Sequence, residues 1–334
     1  MKTIKLFTLL SMLSWLMLAC GNEIVGGERN EEDDSSSSSS SSGNNLKTGQ
    51  VEMKGYPDAS GIIGFRAAAK KITIDWGDGI KDEMNPNGVQ ITITHDYSNR
   101  NFQEILINAE NLTSISGFSN GVTHELRFGD CPNLKTINVS SNALALTVLD
   151  IKKAGALQEL YCSGLTSLDV SKNTALVELY CSGLTSLDVS KNTALKGLYC
   201  SNNQLTSLDV SKNTALVWLN CTYSPLTSLD VSKNTALTTL NCDNNKLTSL
   251  NVSGANALTT LNCNRNQLTS LNVSGATALT TLNCTYNQLT DTKLDELFES
   301  LPVNRVGGVR IGGNPGTSTC SWEIAKEKGW SVNY

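Results

Sequence analysis

The chain has 334 residues, of which 39% are hydrophobic and 17% charged, with 26 Lys and Arg against 31 Asp and Glu, two His and ten Cys. The formal net charge of −5 argues against a nucleic-acid partner, because phosphate binding depends on clustered Lys and Arg and the sequence shows no such cluster. The two histidines leave few catalytic arrangements that depend on imidazole. The length allows about two domains, and an aromatic content of 6% predicts an aliphatic core.

Residues 1–19 have the pattern of a cleaved secretory signal peptide. Lys2 and Lys5 precede an apolar stretch from Leu6 to Leu18 that is too short to span a bilayer comfortably. The stretch ends in Met-Leu-Ala-Cys-Gly, which resembles a bacterial lipobox and implies a diacylglycerol on Cys20 after cleavage before it. An ordinary secretory signal with an incidental cysteine is the alternative. We therefore expect contact with a membrane through the lipid anchor only.

Residues 20–49 are predicted to be a disordered tether. They hold six acidic residues, a run of serines from Ser35 to Ser42, and few apolar side chains that could offset the entropy of ordering. Acidic residues soon after a lipidated cysteine resemble the export signal of surface lipoproteins in Gram-negative anaerobes, and a solvated charge run is the alternative. These features predict a lipid-anchored protein of the outer membrane that is exposed at the cell surface.

Residues 50–110 alternate apolar and polar side chains in short stretches, as antiparallel strands with one buried face do. The predicted strands cover residues 51–54, 71–76, 89–93 and 102–107. The sequences 74–79 and 94–98 resemble the signature of PKD-like modules, which have an immunoglobulin fold. In that family the Trp is a core residue, the Gly-Asp-Gly turn closes a hairpin and the Tyr packs at a corner. The stretch is short for such a module, so we expect one sheet to be incomplete or completed by the residues that follow.

Asp75 and Asp78 are the weak candidates for a metal site in this region. Two carboxylates in a tight turn suit calcium, but Asp also favours turns by binding its own backbone, and further ligands are not evident. The sequence therefore predicts no metal site and no cofactor. His95 is interpreted as a hydrogen-bonding residue at the end of a strand.

A repeat dominates the rest of the chain. Seven cysteines recur at spacings of 19, 19, 21, 21, 21 and 21 residues, each two residues after a leucine. They are Cys162, Cys181, Cys200, Cys221, Cys242, Cys263 and Cys284. The unit from Leu237 reads LTTLNCDNNKLTSLNVSGANA, which fits the leucine-rich-repeat consensus L-x-x-L-x-C-x-x-N-x-L. Its second half, L-T-S-L-[DN]-V-S, predicts another short extended segment in each coil.

Residues 111–290 are thus predicted to form a mainly β solenoid of leucine-rich repeats with two short parallel strands in each coil. The period leaves no room for a helix on the convex side. The unit resembles the short cysteine-bearing repeats of internalin-type adhesins and of surface leucine-rich-repeat lipoproteins from anaerobes. That resemblance implies a surface protein used for adhesion or recognition.

The cysteines are interpreted as a ladder of reduced, buried thiols. The sequence has no C-x-x-C pair, and in-register strands lie about 4.8 Å apart, whereas disulfide Cβ atoms prefer about 3.8 Å. The asparagines of the consensus are predicted to form a second ladder whose amides satisfy backbone groups at a turn. They are Asn203, Asn245, Asn266 and Asn287. Cys131 and Cys320 lie outside the register, and their pairing stays open.

Outward-facing positions of the first strand in each coil form the candidate ligand-binding face. They hold Tyr161, Tyr180 and Tyr199 in one row, and Glu159, Glu178, Gly197 and Trp218 in the next. Later coils hold Asn and Thr there. Clustered Tyr and Trp often mark binding surfaces, so this end is the candidate site for an extracellular protein or, alternatively, for a glycan whose rings stack on the aromatic side chains. The tyrosines could also simply cover the sheet.

Residues 291–334 are predicted to form an α/β cap that shields the last coil. The apolar residues from Thr292 to Leu301 recur with a helical period that ends at Pro302, and a second helix is predicted from Thr317 to Lys328. A strand around Trp330 completes the cap.

Gly117 to Gly121 match the hydrolase pattern G-x-S-x-G, with Ser119 at its centre and His124 nearby. The pattern requires a turn between a strand and a helix, whereas a loop between degenerate repeats is predicted here, so a simple turn is favoured. The sequence therefore predicts a monomeric, non-enzymatic recognition protein.

Overall fold

The computed structural model describes residues 46–118, 123–140, 146–303 and 306–334. Cys20, the predicted signal peptide, most of the predicted tether and Ser119 lie outside these ranges. Asn45–Tyr334 form one compact unit. In the described ranges, no helix combines the length and the hydropathy needed to cross a bilayer.

The N-terminal part consists of short strands. In chain order these are β1 (Gln50–Gly55), β2 (Ile62–Ala68), β3 (Lys71–Asp75), β4 (Lys81–Met84), β5 (Gln90–Asp96), β6 (Gln103–Glu110), β7 (Ser114–Ser116), β8 (Thr123–Phe128), β9 (Thr136–Asn138) and β10 (Val148–Asp150). The sequence patterns missed β2 and β4. Five of the seven residues of β2 are buried, and β4 has the sequence KDEM with a single apolar residue, so neither strand shows the alternation of apolar and polar residues by which the others were predicted.

Both N-terminal sheets extend past residue 110. One sheet has the order β10-β8-β1-β6-β3-β4, so it takes two strands from the region of the degenerate repeats. In the other sheet, β2 lies between β5 and β7, and β7 pairs in parallel with β9. This second sheet continues into the solenoid, and the hydrophobic core is likewise continuous from Val51 to Trp330. Strands that follow residue 110 therefore complete both sheets.

The solenoid contributes nine further strands. They are β11 (Glu159–Ser163), β12 (Glu178–Ser182), β13 (Gly197–Tyr199), β14 (Trp218–Asn220), β15 (Ser228–Asp230), β16 (Thr239–Asn241), β17 (Ser249–Asn251), β18 (Thr260–Asn262) and β19 (Thr281–Asn283). All except β15 and β17 pair in parallel, coil on coil, in one sheet that starts from β9. Equivalent residues pair with one another, as Leu160 with Leu179 and Cys162 with Cys181. The chain is thus a mainly β solenoid built of leucine-rich repeats.

The expectation of two strands in every coil is wrong for most coils. Within the described ranges, the L-T-S-L segments form a paired second strand only at β15 and β17. Elsewhere neighbouring coils share single bonds, such as Thr185 N–H to Thr166 O at 3.1 Å. The segment is followed by a turn in which an Asp or Asn side-chain oxygen accepts a backbone N–H two residues on. This turn occurs in coils without the paired strand, as at Asp209, and in coils with it, as at Asp230, both at 2.8 Å.

A buried asparagine ladder that the sequence analysis missed joins the coils on the side opposite the main sheet. Its members are Asn173, Asn192, Asn213 and Asn234. The amide nitrogen of Asn213 donates to Val189 O at 3.0 Å and to Asn192 O at 2.9 Å, and the other members repeat this pattern on the coil before them. The repeated sequence V-S-K-N-T-A-L indicates this ladder, because its Asn recurs in four coils at spacings of 19 or 21 residues, the same spacings that separate the cysteines.

Two coils replace this ladder by closer backbone packing. They carry Ala255 and Ala276 in the asparagine position, and the Lys before it becomes Gly254 or Gly275. A Cβ on either glycine would lie 1.9 or 2.0 Å from the serine carbonyl of the preceding coil. Only glycine allows this approach, so the paired change from Lys-Asn to Gly-Ala has a steric cause.

The cap consists of α1 (Asp291–Ser300), β20 (Gly307–Arg310), α2 (Glu323–Glu327) and β21 (Trp330–Asn333). The first helix begins after Thr290, whose hydroxyl accepts the Lys293 N–H, and it buries Leu294, Leu297 and Phe298. β20 and β21 extend the solenoid sheet in parallel beyond β19. The second helix is shorter than predicted, because the chain makes turns up to Ser321, whose N–H and hydroxyl bind Asp295 of α1.

Replacing one amide of the missed ladder should destabilise the fold. In Asn213→Ala, two carbonyl oxygens lose a buried donor, which predicts a loss of about 1–2 kcal/mol in the free energy of unfolding. The loss is moderated because the Oδ1 atom of Asn213 has no partner in the native fold. Asn256→Ala removes an exposed amide from the same solenoid and should change stability by less than about 0.5 kcal/mol. Urea unfolding of both variants measures this difference, and equal effects would contradict it.

Candidate functional site

The tyrosine row consists of Tyr161, Tyr180 and Tyr199, which occupy equivalent positions on β11, β12 and β13. Because parallel strands lie about 4.8 Å apart, in-register rings must stack. The ring centroids are 4.5 and 4.1 Å apart, and the ring planes differ by 13° and 4°. Both faces of the Tyr180 ring are therefore covered. The row presents ring edges and hydroxyl groups to the outside.

The tyrosine hydroxyls remain protonated at neutral pH. Burial, with smaller contributions from Glu159 and Glu178, raises the pKa of Tyr161 to about 12. Burial raises the pKa of Tyr180 further, and the charges of neighbouring groups and a hydrogen bond with the Tyr199 hydroxyl add to this effect. The row can thus donate and accept hydrogen bonds, but it carries no charge.

Glu178 lies beside the tyrosine row in an unusual position, which we call the carboxyl seat. Its carboxyl group is folded over Gly197 of the next strand, where a Cβ atom would lie 2.0 Å from Glu178 Oε2 and 2.8 Å from Tyr199 Cε2. Glu178 Oε2 is buried and has no hydrogen-bond partner. Burial, followed by the negative charge of Glu159, raises the pKa of Glu178 to about 7. The sequence analysis found this residue but not the role of Gly197.

Glu159 and Trp218 flank the carboxyl seat. Glu159 pairs with Glu178 across β11 and β12, and Thr136 Oγ1 donates to Glu159 Oε2 at a long 3.4 Å. Trp218 pairs with Gly197 across β13 and β14, and its side chain is 40% exposed. The structure thus brings together the six aromatic and acidic residues that the sequence selected for this face.

Beyond Trp218, the same face carries a polar lattice. Asn220 Oδ1 accepts from Ser201 Oγ at 2.8 Å, and Asn283 Oδ1 accepts from Thr285 Oγ1 at 2.9 Å. Asn262 Nδ2 donates to Asp243 Oδ1 at 3.3 Å. Many side-chain donors and acceptors at this end of the sheet therefore bind one another. The aromatic end has fewer such hydrogen bonds between side chains.

The seven repeat cysteines lie in register beneath this face. All are buried, and they are free thiols, as are Cys131 and Cys320. Burial raises the pKa of the Cys162, Cys200 and Cys284 thiols to about 12, and it raises those of the remaining ladder thiols as well. These thiols are small apolar side chains in a close-packed core rather than nucleophiles.

The asparagines of the consensus connect the cysteine backbones of successive coils. Asn245 Nδ2 donates to Cys221 O and to Cys242 O, both at 3.0 Å, while its Oδ1 accepts from Leu226 N at 3.2 Å. Asn203, Asn266 and Asn287 make the same set of bonds. Asn314 of the cap repeats it against Cys284 and Ile311, a position that the sequence analysis missed.

The residue before each of these asparagines has a positive φ angle. Glycine or asparagine usually takes such a conformation, as at Gly183 and Asn202. Three later coils place larger side chains at the equivalent position, at φ angles of 50° to 54°, and in one of these coils the next residue is Ser224 instead of asparagine. The larger side chains are Tyr223, Arg265 and Tyr286, with the Arg265 guanidinium 5.0 Å from the centroid of the Tyr286 ring. Bulky residues in this conformation store strain of about 1 kcal/mol each.

The N-terminal candidates take part in turn and core contacts. Asp75 binds Lys81 Nζ at 2.8 Å, and this hydrogen bond lowers the pKa of Asp75. Asp78 binds His95 Nε2 at 2.8 Å and accepts the Ile80 N–H at 3.0 Å. Both carboxylates thus have partners in the chain, and in the described ranges no group of three or more His, Cys, Asp and Glu has a geometry suited to a metal ion.

The aromatic residues of the PKD-like sequence surround the same turn. Trp76 is fully buried and stacks on His95 with 4.6 Å between ring centroids. Tyr97 Oη donates to Trp76 O at 2.8 Å. His124, the candidate near Ser119, has its ring 5.5 Å from Tyr56, edge to face.

The chain matches no protein-family model and no curated protein sequence. Among solved structures, the functional domain of InlJ from Listeria monocytogenes, described as including a cysteine ladder, is 36% identical over 53% of this chain and 44% of its own, with a TM-score of 0.45. The leucine-rich repeat domain of APL1B is 21% identical over 55% of this chain and 56% of its own, with a TM-score of 0.47. The chain thus spans less than two thirds of both structures. Because these TM-scores are below 0.5, the fold assignment rests on the repeat sequence and on the register of the coils.

The burial of the thiols predicts that they resist modification in the folded protein. In a Cys20→Ala variant of the full chain at pH 8, we expect almost no reaction with Ellman's reagent before unfolding. In guanidinium chloride, nine thiols should react, one for each buried free cysteine. Rapid reaction of several thiols in the native protein would contradict the burial, and fewer than nine in the unfolded protein without reductant would reveal disulfides.

Proposed function

We propose that this chain is a lipid-anchored, non-catalytic surface protein that recognises an extracellular protein through the aromatic end of its solenoid sheet. The binding surface consists of the tyrosine row with Glu159, Glu178 and Trp218. The PKD-like module joins the solenoid to the tether, and the tether holds both away from the membrane. The chain acts as a monomer.

The contrast between the two ends of the sheet carries this proposal. At the polar end, many side chains bind one another. At the aromatic end, Trp218 is 40% exposed and the Glu178 carboxyl group forms no ion pair among the described residues. Buried oxygens without a partner occur at both ends, at Glu178 Oε2 and at Asn262 Oδ1, so the exposed indole and the unpaired acid make the contrast. Partly exposed Tyr and Trp beside an unsatisfied polar group are typical of the residues that dominate protein interfaces. A rigid parallel sheet also holds them in place, so little conformational entropy is lost on binding.

A protein partner fits this geometry better than the alternative, a glycan. A sugar ring stacks on the face of an aromatic ring, and the stacked row leaves Tyr180 without a free face. A protein can instead use the ring edges, the hydroxyl groups and the exposed indole of Trp218. Binding of a glycan is the alternative function, and the binding screen tests it together with protein binding.

The binding test is a screen of the full chain against immobilised extracellular proteins and a glycan array. Trp218→Ala should weaken binding to the hit at least tenfold, because exposed Trp side chains often contribute 2 kcal/mol or more to an interface, about a thirtyfold effect. Thr239→Ala, the matched change in the next coil of the same row, should leave the affinity within about twofold. A hit that is equally sensitive to both changes, or to neither, would contradict this location of the site.

The anchor is tested by metabolic labelling in a Gram-negative host with an alkyne fatty acid. The wild-type chain should carry the label and be cleaved by protease added to intact cells. The Cys20→Ala variant should carry no label, whereas Cys131→Ala, which removes another cysteine, should remain labelled. A wild-type chain without label would disprove the lipid anchor.

A further inference from the structure

The carboxyl seat is a local departure from the repeat. Among the repeat coils of the row that contains Glu159, Glu178 and Trp218, position 197 holds the one glycine, and the coils after Trp218 carry threonine. Glu178 uses the space that Gly197 leaves, and its carboxyl group lies against the edge of the Tyr199 ring. Any other residue at position 197 would push the carboxyl group outwards. The seat thus exists because of one glycine beside one glutamate.

The charges around this carboxyl group leave it without a counterion. Among the described residues, neither Glu178 nor Glu159 forms an ion pair, and the two face each other across adjacent strands. Lys196 is exposed and acts on Glu178 only through its charge at a distance. The local potential is therefore negative, and Glu178 Oε2 has no donor. A positively charged ligand group would supply the missing charge.

Trp218 is the next side chain after Glu178 in this row of the sheet. It lies directly opposite Gly197 on β14, so Glu178 and Trp218 flank a position that has no side chain. The register thus puts an exposed indole and a carboxyl group on the two strands that flank Gly197. Aromatic rings and carboxylates both attract ammonium and guanidinium groups, through cation–π attraction and charged hydrogen bonds. Neutral ligands gain neither contribution.

We propose that the carboxyl seat binds a Lys or Arg side chain of the protein partner, with Glu178 as its charge partner and Trp218 as the packing surface. This inference rests on the proposed recognition function of the same face. It makes Glu178 the residue that selects a basic segment of the partner over a neutral or acidic one.

The pH dependence of binding follows from the groups that face Glu178. The charged groups that act on Glu178 are Glu159 and Lys196. Tyr180 and Tyr199 remain neutral between pH 6 and 8 because burial raises their pKa values, so the pH dependence is assigned to Glu178. Burial places the pKa of Glu178 at about 7 in the free protein, and a bound cation favours its ionised form. Binding should therefore release a proton and become about tenfold tighter from pH 6 to pH 8.

The test uses n-butylammonium and n-butylguanidinium chloride as probes of the full chain, with the indole N–H signal of Trp218 followed by NMR. Both cations should shift this signal saturably, and n-butanol, the neutral analogue, should not. Glu178→Gln should weaken cation binding at least tenfold and abolish its pH dependence. Gly197→Ala keeps every charge but expels the carboxyl group from the seat, so it should weaken binding and flatten the pH profile. Glu159→Gln should retain binding, with its pH dependence moved to lower pH.

Equal shifts by n-butanol, or equal binding by wild type and Glu178→Gln, would overturn this inference. These outcomes are separable from failure of the proposed function. If a protein hit depends on Trp218 but not on Glu178 at any pH, the recognition face stands and the cation seat does not. If the cations bind but no protein does, the seat stands and the recognition of a protein does not.

Discussion

The structure depends on buried amide groups that hold each coil at a fixed register on the one before it. Asn245 shows the arrangement, because its amide nitrogen bridges the cysteine carbonyls of two coils and its oxygen accepts a leucine N–H from the preceding coil. Buried backbone groups must find partners, so a slip in register would leave several unsatisfied at once. Stacked leucines and thiols fill the interior, but apolar contacts alone are less directional and do not fix a register.

The geometry of the proposed binding surface follows from this register. Residues in equivalent positions of successive coils must lie one strand spacing apart, so three tyrosines become a stacked row. For the same reason, a change in one coil affects its neighbour, and Gly197 creates the space that Glu178 fills. A repeat that copies most residues and changes a few can thus build a local site without altering the scaffold.

Much of this arrangement was predictable from the sequence. The spacing of the cysteines and leucines defined the main sheet and its inward positions, and simple counting placed Glu159, Tyr161 and Trp218 on one face. The ladder of Asn213 was equally periodic but was overlooked, because the buried role of a polar residue in a polar segment is not evident from hydropathy. The seat at Gly197 was beyond sequence reasoning, since it depends on a side chain of one coil bending over the backbone of the next. The second strand was predicted for every coil from the L-T-S-L segments, but within the described ranges these segments pair as strands only at β15 and β17, although the turn that follows them is the same in the other coils.

The N-terminal strands and the solenoid share one continuous sheet, which limits bending between them. Strand β7 of the N-terminal part pairs directly with β9, and β9 pairs with β11, which carries the first tyrosine of the row. The tyrosine row is thus joined to the N-terminal strands by a continuous hydrogen-bonded sheet. Such a connection allows little bending between the two parts.

The most direct test of this account is a ¹³C NMR titration of the Glu178 carboxyl group in the unliganded protein. The account predicts a midpoint near pH 7, since the coil register holds an unpaired carboxyl group against Gly197 and next to Glu159. A midpoint near 4.5, the ordinary value for a glutamate, would mean that the carboxyl group is solvated, and it would contradict the buried seat on which the account of this face rests.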